Sequence, residues 1–283
     1  MKRLSMLLLM AGISLATFGQ RNLVRHDDIK AFLKTTTYVV MEENPTSAYN
    51  IEIKEAVEKA WKITPFAFIS AKEFEAARQD INKSFLVLIQ MKFDKDKVEA
   101  VYNFLSVAMG SAVKKVTDMP DICSIPLSYN GVPEESYVYK LEGLIRFIQN
   151  HINLLNENPN LIKGNIFNYY NKNTKDVKGK ELWVVEKDLE KTTRPLAEIR
   201  KNYKFNVKVV TPDDIQKAIQ EKNGNVVYLH KVGPEGTRLQ TRCYKILLGA
   251  GDDQMYYFDY HTISKTGDGD GFLSGDFKKL NKK

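Results

Sequence analysis

The sequence predicts an α+β protein built as two repeated β-α-β-α-β-β-β lobes with mixed sheets, joined by a long amphipathic helix. Three observations carry this expectation. The stretch FAFISAKEFEAARQDINKSFLVLIQ, from Phe66 to Gln90, meets VKVVTPDDIQKAIQEKNGNVVYLHK, from Val207 to Lys231, at a shift of 141 residues. VYNFLSVAMG from Val101 lies over RCYKILLGAG from Arg242 at the same shift. Between the copies, Leu141, Leu144, Ile145, Ile148, Ile152 and Leu155 repeat at helical spacing, with Phe147 and Leu154 widening the stripe.

Lys2 and Arg3 precede LSMLLLMAGISLATF, a short apolar run with Thr17 and Gly19 before a cut at Gln20. This reads as a secretory signal peptide over residues 1–19. The run is short for a bilayer-spanning helix, and no later stretch resembles one, because the longest apolar helix contains Glu142, Arg146 and His151. The first lobe is then assigned to residues 20–133, the helical connector to 134–163 and the second lobe to 164–283.

His26 to Lys34 suits a short helix, and TTTYVVME a first strand. Ile53, Ala56, Val57, Ala60 and Trp61 mark one buried helical face, ended by Thr64 and Pro65. FAFIS is the second strand. Ser70 and Glu73 form an S-x-x-E capping box, and Thr211 with Asp214 does the same in the second copy, with Pro212 in the first helical turn. Phe74, Ala77 and Ile81 are assigned to the inner face of the first capped helix, and Ile215, Ala218 and Ile219 to that of the second. FLVLIQM and VVYLH are near-continuous apolar strands, the pattern of strands covered on both faces. Fourth strands follow, then DICSIPLSY and MYYFDYHTIS as fifth strands, with KELWVVE answering TTYVVME. Pro133 opens the connecting helix of about five turns. The polar segment NKNTKDVKGK, Asn171 to Lys180, reads as a solvated connector.

The formal net charge of +7 falls to +5 once Lys2 and Arg3 are removed. The bases are scattered among acids, unlike the clustered face with stacking aromatics that nucleic acid requires, so no nucleic-acid partner is expected. Cys123 and Cys243 are placed on strands of different lobes. Export would permit a disulfide, and two buried thiols are the simpler assignment.

Three groups of residues are candidates for chemistry. In TGDGDGFLSGDF, Asp268 and Asp270 stand at the third and fifth positions of a calcium loop, and Asp276 lies close by. Thr266 and Phe277 replace the acids expected at its first and last positions, and a glycine-rich turn with Ser274 capping a short helix explains the same letters. Asp259 and His261 share a strand face, and His230 on a neighbouring strand would complete a catalytic or metal-binding set. Tyr256, Phe258 and Tyr260 alternate onto one face as a candidate ligand-binding surface. There is no G-x-S-x-G elbow, HExxH, P-loop or C-x-x-C.

The succession of strand, amphipathic helix, FAFIS or VKVVT, capped helix and strand resembles α/β domains of bacterial envelope proteins. These are the N-terminal domain of the Tol-system propeller protein and the domain of the curli-secretion lipoprotein. The resemblance covers most of both lobes and implies an envelope binding or assembly role. It transfers no functional residues, and the chain has neither a propeller nor a lipobox cysteine. The expected protein is an exported, non-enzymatic binder of an envelope protein or cell-surface polymer, periplasmic or secreted. The rival is an envelope-polymer hydrolase using carboxylates or the His230, Asp259 and His261 set.

Overall fold

The computed structural model describes residues 24–93, 96, 98–236 and 238–281; the segment read as a signal peptide lies outside them. The chain enters through α1 (His26–Phe32), then β1 (Thr37–Met41), α2 (Ala48–Ala60), β2 (Phe66–Ser70), α3 (Ala71–Ala77), β3 (Ser84–Met91), β4 (Tyr102–Met109) and β5 (Asp121–Tyr129). These strands lie in the order β2-β1-β3-β4-β5. The helical crossovers α2 and α3 make β1 parallel to both its neighbours, and the shorter links after β3 make the remaining pairs antiparallel.

The second sheet repeats this order and these directions. It contains β6 (Glu181–Val184), α6 (Leu196–Asn202), β7 (Val207–Val209), α7 (Pro212–Gln220), β8 (Val226–Val232), β9 (Arg242–Gly249) and β10 (Met255–Thr262), arranged β7-β6-β8-β9-β10. Leu182 faces Val207 as Thr37 faces Phe66. The chain then closes with α8 (Ser274–Leu280).

Both capping boxes form. The Ser70 hydroxyl accepts from Glu73 N–H while the Glu73 carboxylate accepts from Ser70 N–H, and Thr211 and Asp214 do the same at α7. The expected inner face of α3 is shorter than its sequence suggested. The helix ends at Ala77, with Arg78 at its C-cap, and Ile81 is 68% exposed in the following turn. Ser274 is likewise not a cap: Leu273 precedes the helix, and its N–H donates to the Asp276 carboxylate.

α4 (Leu141–Glu157) is a shared core element more than a connector. Seven successive residues, from Gly143 to Gln149, are buried. One apolar cluster runs from α1, α2 and the first sheet through α4 to α7 and the second sheet. Arg146 turns towards the second lobe, donating to Asp253, Glu142 and the carbonyls of Ile219 and Ala250. Gln149 turns towards the first, donating to Ala60 C=O and accepting from Lys62 N–H. Among the described residues no helix is long and apolar enough to cross a membrane.

The polar segment expected to be a solvated connector is laid along the outer edge of β10, after α5 (Ile166–Asn171). Asn171 Oδ1 accepts from Phe258 N–H and its Nδ2 donates to Phe258 C=O. Asn173 and Thr174 donate to the carbonyls of Met255 and Tyr256. Amide and hydroxyl side chains thus stand in for a neighbouring strand, which explains why so polar a stretch is ordered there.

Candidate functional site

β10 carries most of the residues singled out from sequence, and its register decides where they go. Asp259 pairs with Lys245 and His261 with Cys243, while Phe258 pairs with Ile246 and Tyr260 with Tyr244. Across β9, His230 pairs with Ile246 and Lys231 with Lys245. His230 therefore shares its face with Phe258, opposite Asp259 and His261, and cannot join them. It is fully buried, and its Nε2–H donates to Pro126 C=O of the first lobe at 2.9 Å. Burial, then the charge of Lys140, lowers its pKa to about 3.

The expected Tyr256, Phe258, Tyr260 face is broken by a bulge. The register shifts between Met255 and Tyr257, so Tyr256 packs with Tyr257 in the second lobe's own core and its hydroxyl donates to Asp252. Phe258 and Tyr260 remain together on the face turned towards the first lobe.

Asp259 and His261 open instead into a polar cavity of about 540 Å³ that Asp268, Asp276, Lys245 and Lys279 also line. Asp259, Asp276, Lys245 and Lys279 are paired with one another. Lys245 Nζ lies 2.8 Å from both oxygens of the buried Asp276, and Lys279 bonds Asp259. The Tyr257 hydroxyl lies 3.0 Å from Asp259 and 3.2 Å from Asp276. Burial raises the Asp259 pKa, but the Lys279 bond, the Lys245 charge and the Tyr257 hydroxyl outweigh it and leave the carboxyl below its ordinary range. His261 is held neutral, its pKa lowered by burial and by Lys245. The His261 Nε2–H donates to Gly269 C=O, and its Nδ1 has no hydrogen-bond partner.

Two of the acids of the calcium candidate lie against lysines. Asp270 lies 3.0 Å from Lys231 Nζ and accepts from Glu235 N–H, while Asp276 serves Lys245. The loop pins the tail to the second lobe: at Gly271, φ is +129°, and a Cβ would lie 2.3 Å from Glu190 N. Among the described residues no group of three or more His, Cys, Asp or Glu is placed to hold a metal ion. Cys123 and Cys243 are both free and buried.

An apolar cleft of about 490 Å³ lies between the lobes. Met91, Phe93, Phe104 and Met119 come from the first sheet and its flanking loops, Phe147 and His151 from α4, Phe167 and Tyr170 from α5, and Tyr244, Phe258 and Tyr260 from the second sheet. Phe167 stacks on Phe258 with centroids 3.8 Å apart. Arg242 lies 3.9 Å above the Phe93 ring and bonds Asp96. His151 Nδ1 meets the Tyr170 hydroxyl at 2.7 Å, and burial lowers the imidazole pKa to about 4. Burial, with Asp121 adding to it, raises the Cys123 thiol well above its usual range. The cleft is thus walled mainly by rings and thioethers, with Arg242, the Asp121 carboxylate and a few neutral polar groups among them, a composition suited to apolar side chains or tails.

Phe258 and Tyr260 are the only cleft residues flagged from sequence as ligand contacts. Phe93, Phe104, Met119, His151 and Arg242 were not, because each reads locally as core or as an ordinary loop or helix residue, and only the docking of the lobes brings them together. Comparison of the chain with protein-family models, curated proteins and solved structures finds no match.

Proposed function

We propose that the protein is an exported, non-enzymatic binding protein of the bacterial envelope, periplasmic or secreted, which receives its ligand in the cleft between its lobes. The observation that carries this reading is the cleft itself: about 490 Å³, lined by rings from both sheets and two helices. Burying apolar ligand surface there gains about 25 cal/mol per Å² before the costs of association. The export-like N-terminal sequence and the resemblance to envelope α/β domains support the location. The hydrolase reading finds less support, since Asp259 is paired with Lys279 and His230 lies on the other face of the sheet from Asp259 and His261.

A photo-crosslinking amino acid at Phe167, on the cleft rim and 39% exposed, tests this against the same group at Leu196, 38% exposed on α6 and outside the cleft. The purified protein is irradiated in envelope extract. A reproducible adduct at position 167 and none at 196 is the expected result. No adduct at 167, or equal adducts at both, would sink the reading.

A further inference from the structure

The fifth strand closes one side of each sheet, and the two lobes treat that edge differently. In the second lobe the edge of β10 is completed by the chain itself, through Asn171, Asn173 and Thr174. In the first lobe the edge of β5 faces the cleft, which Ser124, Ile125 and Pro126 line.

Pro126 fixes the direction of the strand's backbone groups. Its carbonyl accepts from His230 across the lobe boundary, so residue 126 faces away from β4. Its missing N–H falls on the same outward side, as proline in an edge strand requires. Alternation then turns the N–H and C=O of Ser124 outward as well. The close contact of the Ser106 and Ser124 hydroxyls, 2.6 Å across the pair, is that of residues that do not exchange backbone hydrogen bonds. Among the described residues, neither outward group of Ser124 meets another backbone group.

An added strand would place side chains alternately on the two faces of the sheet, and both directions are apolar. Phe147, Ile166 and Tyr170 wait beyond one face, Phe93, Phe104 and Met119 beyond the other. A lipid chain would leave the Ser124 groups unused, and a sugar, whose hydroxyls could reach them, would offer no apolar side chains to the two pockets. A polypeptide fills the two pockets and pairs the edge in one act.

We propose that the cleft's ligand is an extended polypeptide segment that pairs with the β5 edge at Ser124 and carries apolar side chains at alternating positions. This rests on the cleft being the binding site, and its failure is separable from the failure of that reading.

The probe is an arrayed library of heptapeptides with apolar residues at alternate positions, presented to the purified protein without its first 19 residues. The tightest peptide is then resynthesised with each amide N-methylated in turn. Methylation of the amide that faces Ser124 weakens binding about tenfold or more, and methylation of the amides on either side leaves it within about twofold. Ser124→Pro, which removes the outward N–H at a position where the ladder does not use it, gives a similar loss. Ser124→Ala, which keeps the N–H, binds within about threefold of the parent. A flat methylation scan on the unaltered protein overturns the proposal whether or not Ser124→Pro folds, and so does Ser124→Pro binding as tightly as Ser124→Ala. If no heptapeptide binds while the Phe167 crosslinker still captures a ligand, or if that ligand is a lipid, the polypeptide class falls and the cleft reading stands. If neither binding nor capture occurs, both fall.

Discussion

His230 is fully buried between the sheets and His151 is partly buried against the cleft, and desolvation holds both neutral. Their pKa values, about 4 and about 3, lie below the value near 6.5 that each has in the unfolded chain. A group whose folded pKa is depressed adds stability above its unfolded pKa, and that contribution is lost as pH falls. The affected window therefore runs from about pH 6.5 down to about 4 for His151, and to about 3 for His230. Unfolding free energy from urea titration should drop by about 2 kcal/mol for each of these histidines between pH 7 and pH 5. His151→Gln should remove its share of the slope. A protein equally stable at both pH values would show that neither imidazole is sheltered. Neither environment was visible in sequence: the residues buried around each histidine come from both lobes. The same holds for the Gly-Asp-rich tail, where Lys231 and Lys245, distant in sequence, lie opposite Asp270 and Asp276.

At the scale of elements, the local signals translated well. FAFIS, both capping boxes and the stripe on α4 are structured where their letters put them, because each depends on neighbours within one or two turns. The bulge at Tyr256 had no such signal, since a strand's register is set by its partner, and it moved one of three aromatic candidates into another core. α4 also holds information the apolar stripe could not show: Arg146 and Gln149, three residues apart, grip opposite lobes. Arg146→Met would strand the Asp253 and Glu142 carboxylates and two carbonyls, and should cost about 3–5 kcal/mol. Gln149→Leu, which breaks two bonds of a neutral amide at Ala60 and Lys62, should cost about 1–3 kcal/mol. Urea midpoints in the two variants check the ranking. A Gln149→Leu loss as large as that of Arg146→Met would mean that charge does not set the difference between the two grips.

For the whole molecule, the strand order that the two sheets share was legible in outline because it follows from crossovers and hairpins. The docking of the lobes was not, because no short-range pattern reports on it. That docking sets how the chain should unfold. The apolar cluster around α4 draws on both sheets, and Tyr102 of the first lobe accepts a hydrogen bond from Arg242 N–H of the second at 2.6 Å. Separating the lobes would expose that shared core and leave buried groups such as Arg146, Gln149 and His230 without their partners, so neither lobe has a stable resting state alone. The two tryptophans report on opposite halves: Trp61 ends α2 in the first lobe and bonds Thr64, while Trp183 lies on β6 in the second and bonds Glu181. Trp183→Phe and Trp61→Phe leave one fluorescent reporter in each lobe. Trp61→Phe should lower the urea midpoint, because Trp61 is buried, yet in each variant the tryptophan signal should fall together with far-ultraviolet circular dichroism in one transition. A fluorescence change at one midpoint and loss of secondary structure at another, in either variant, would show the lobes unfolding separately and α4 belonging to only one of them.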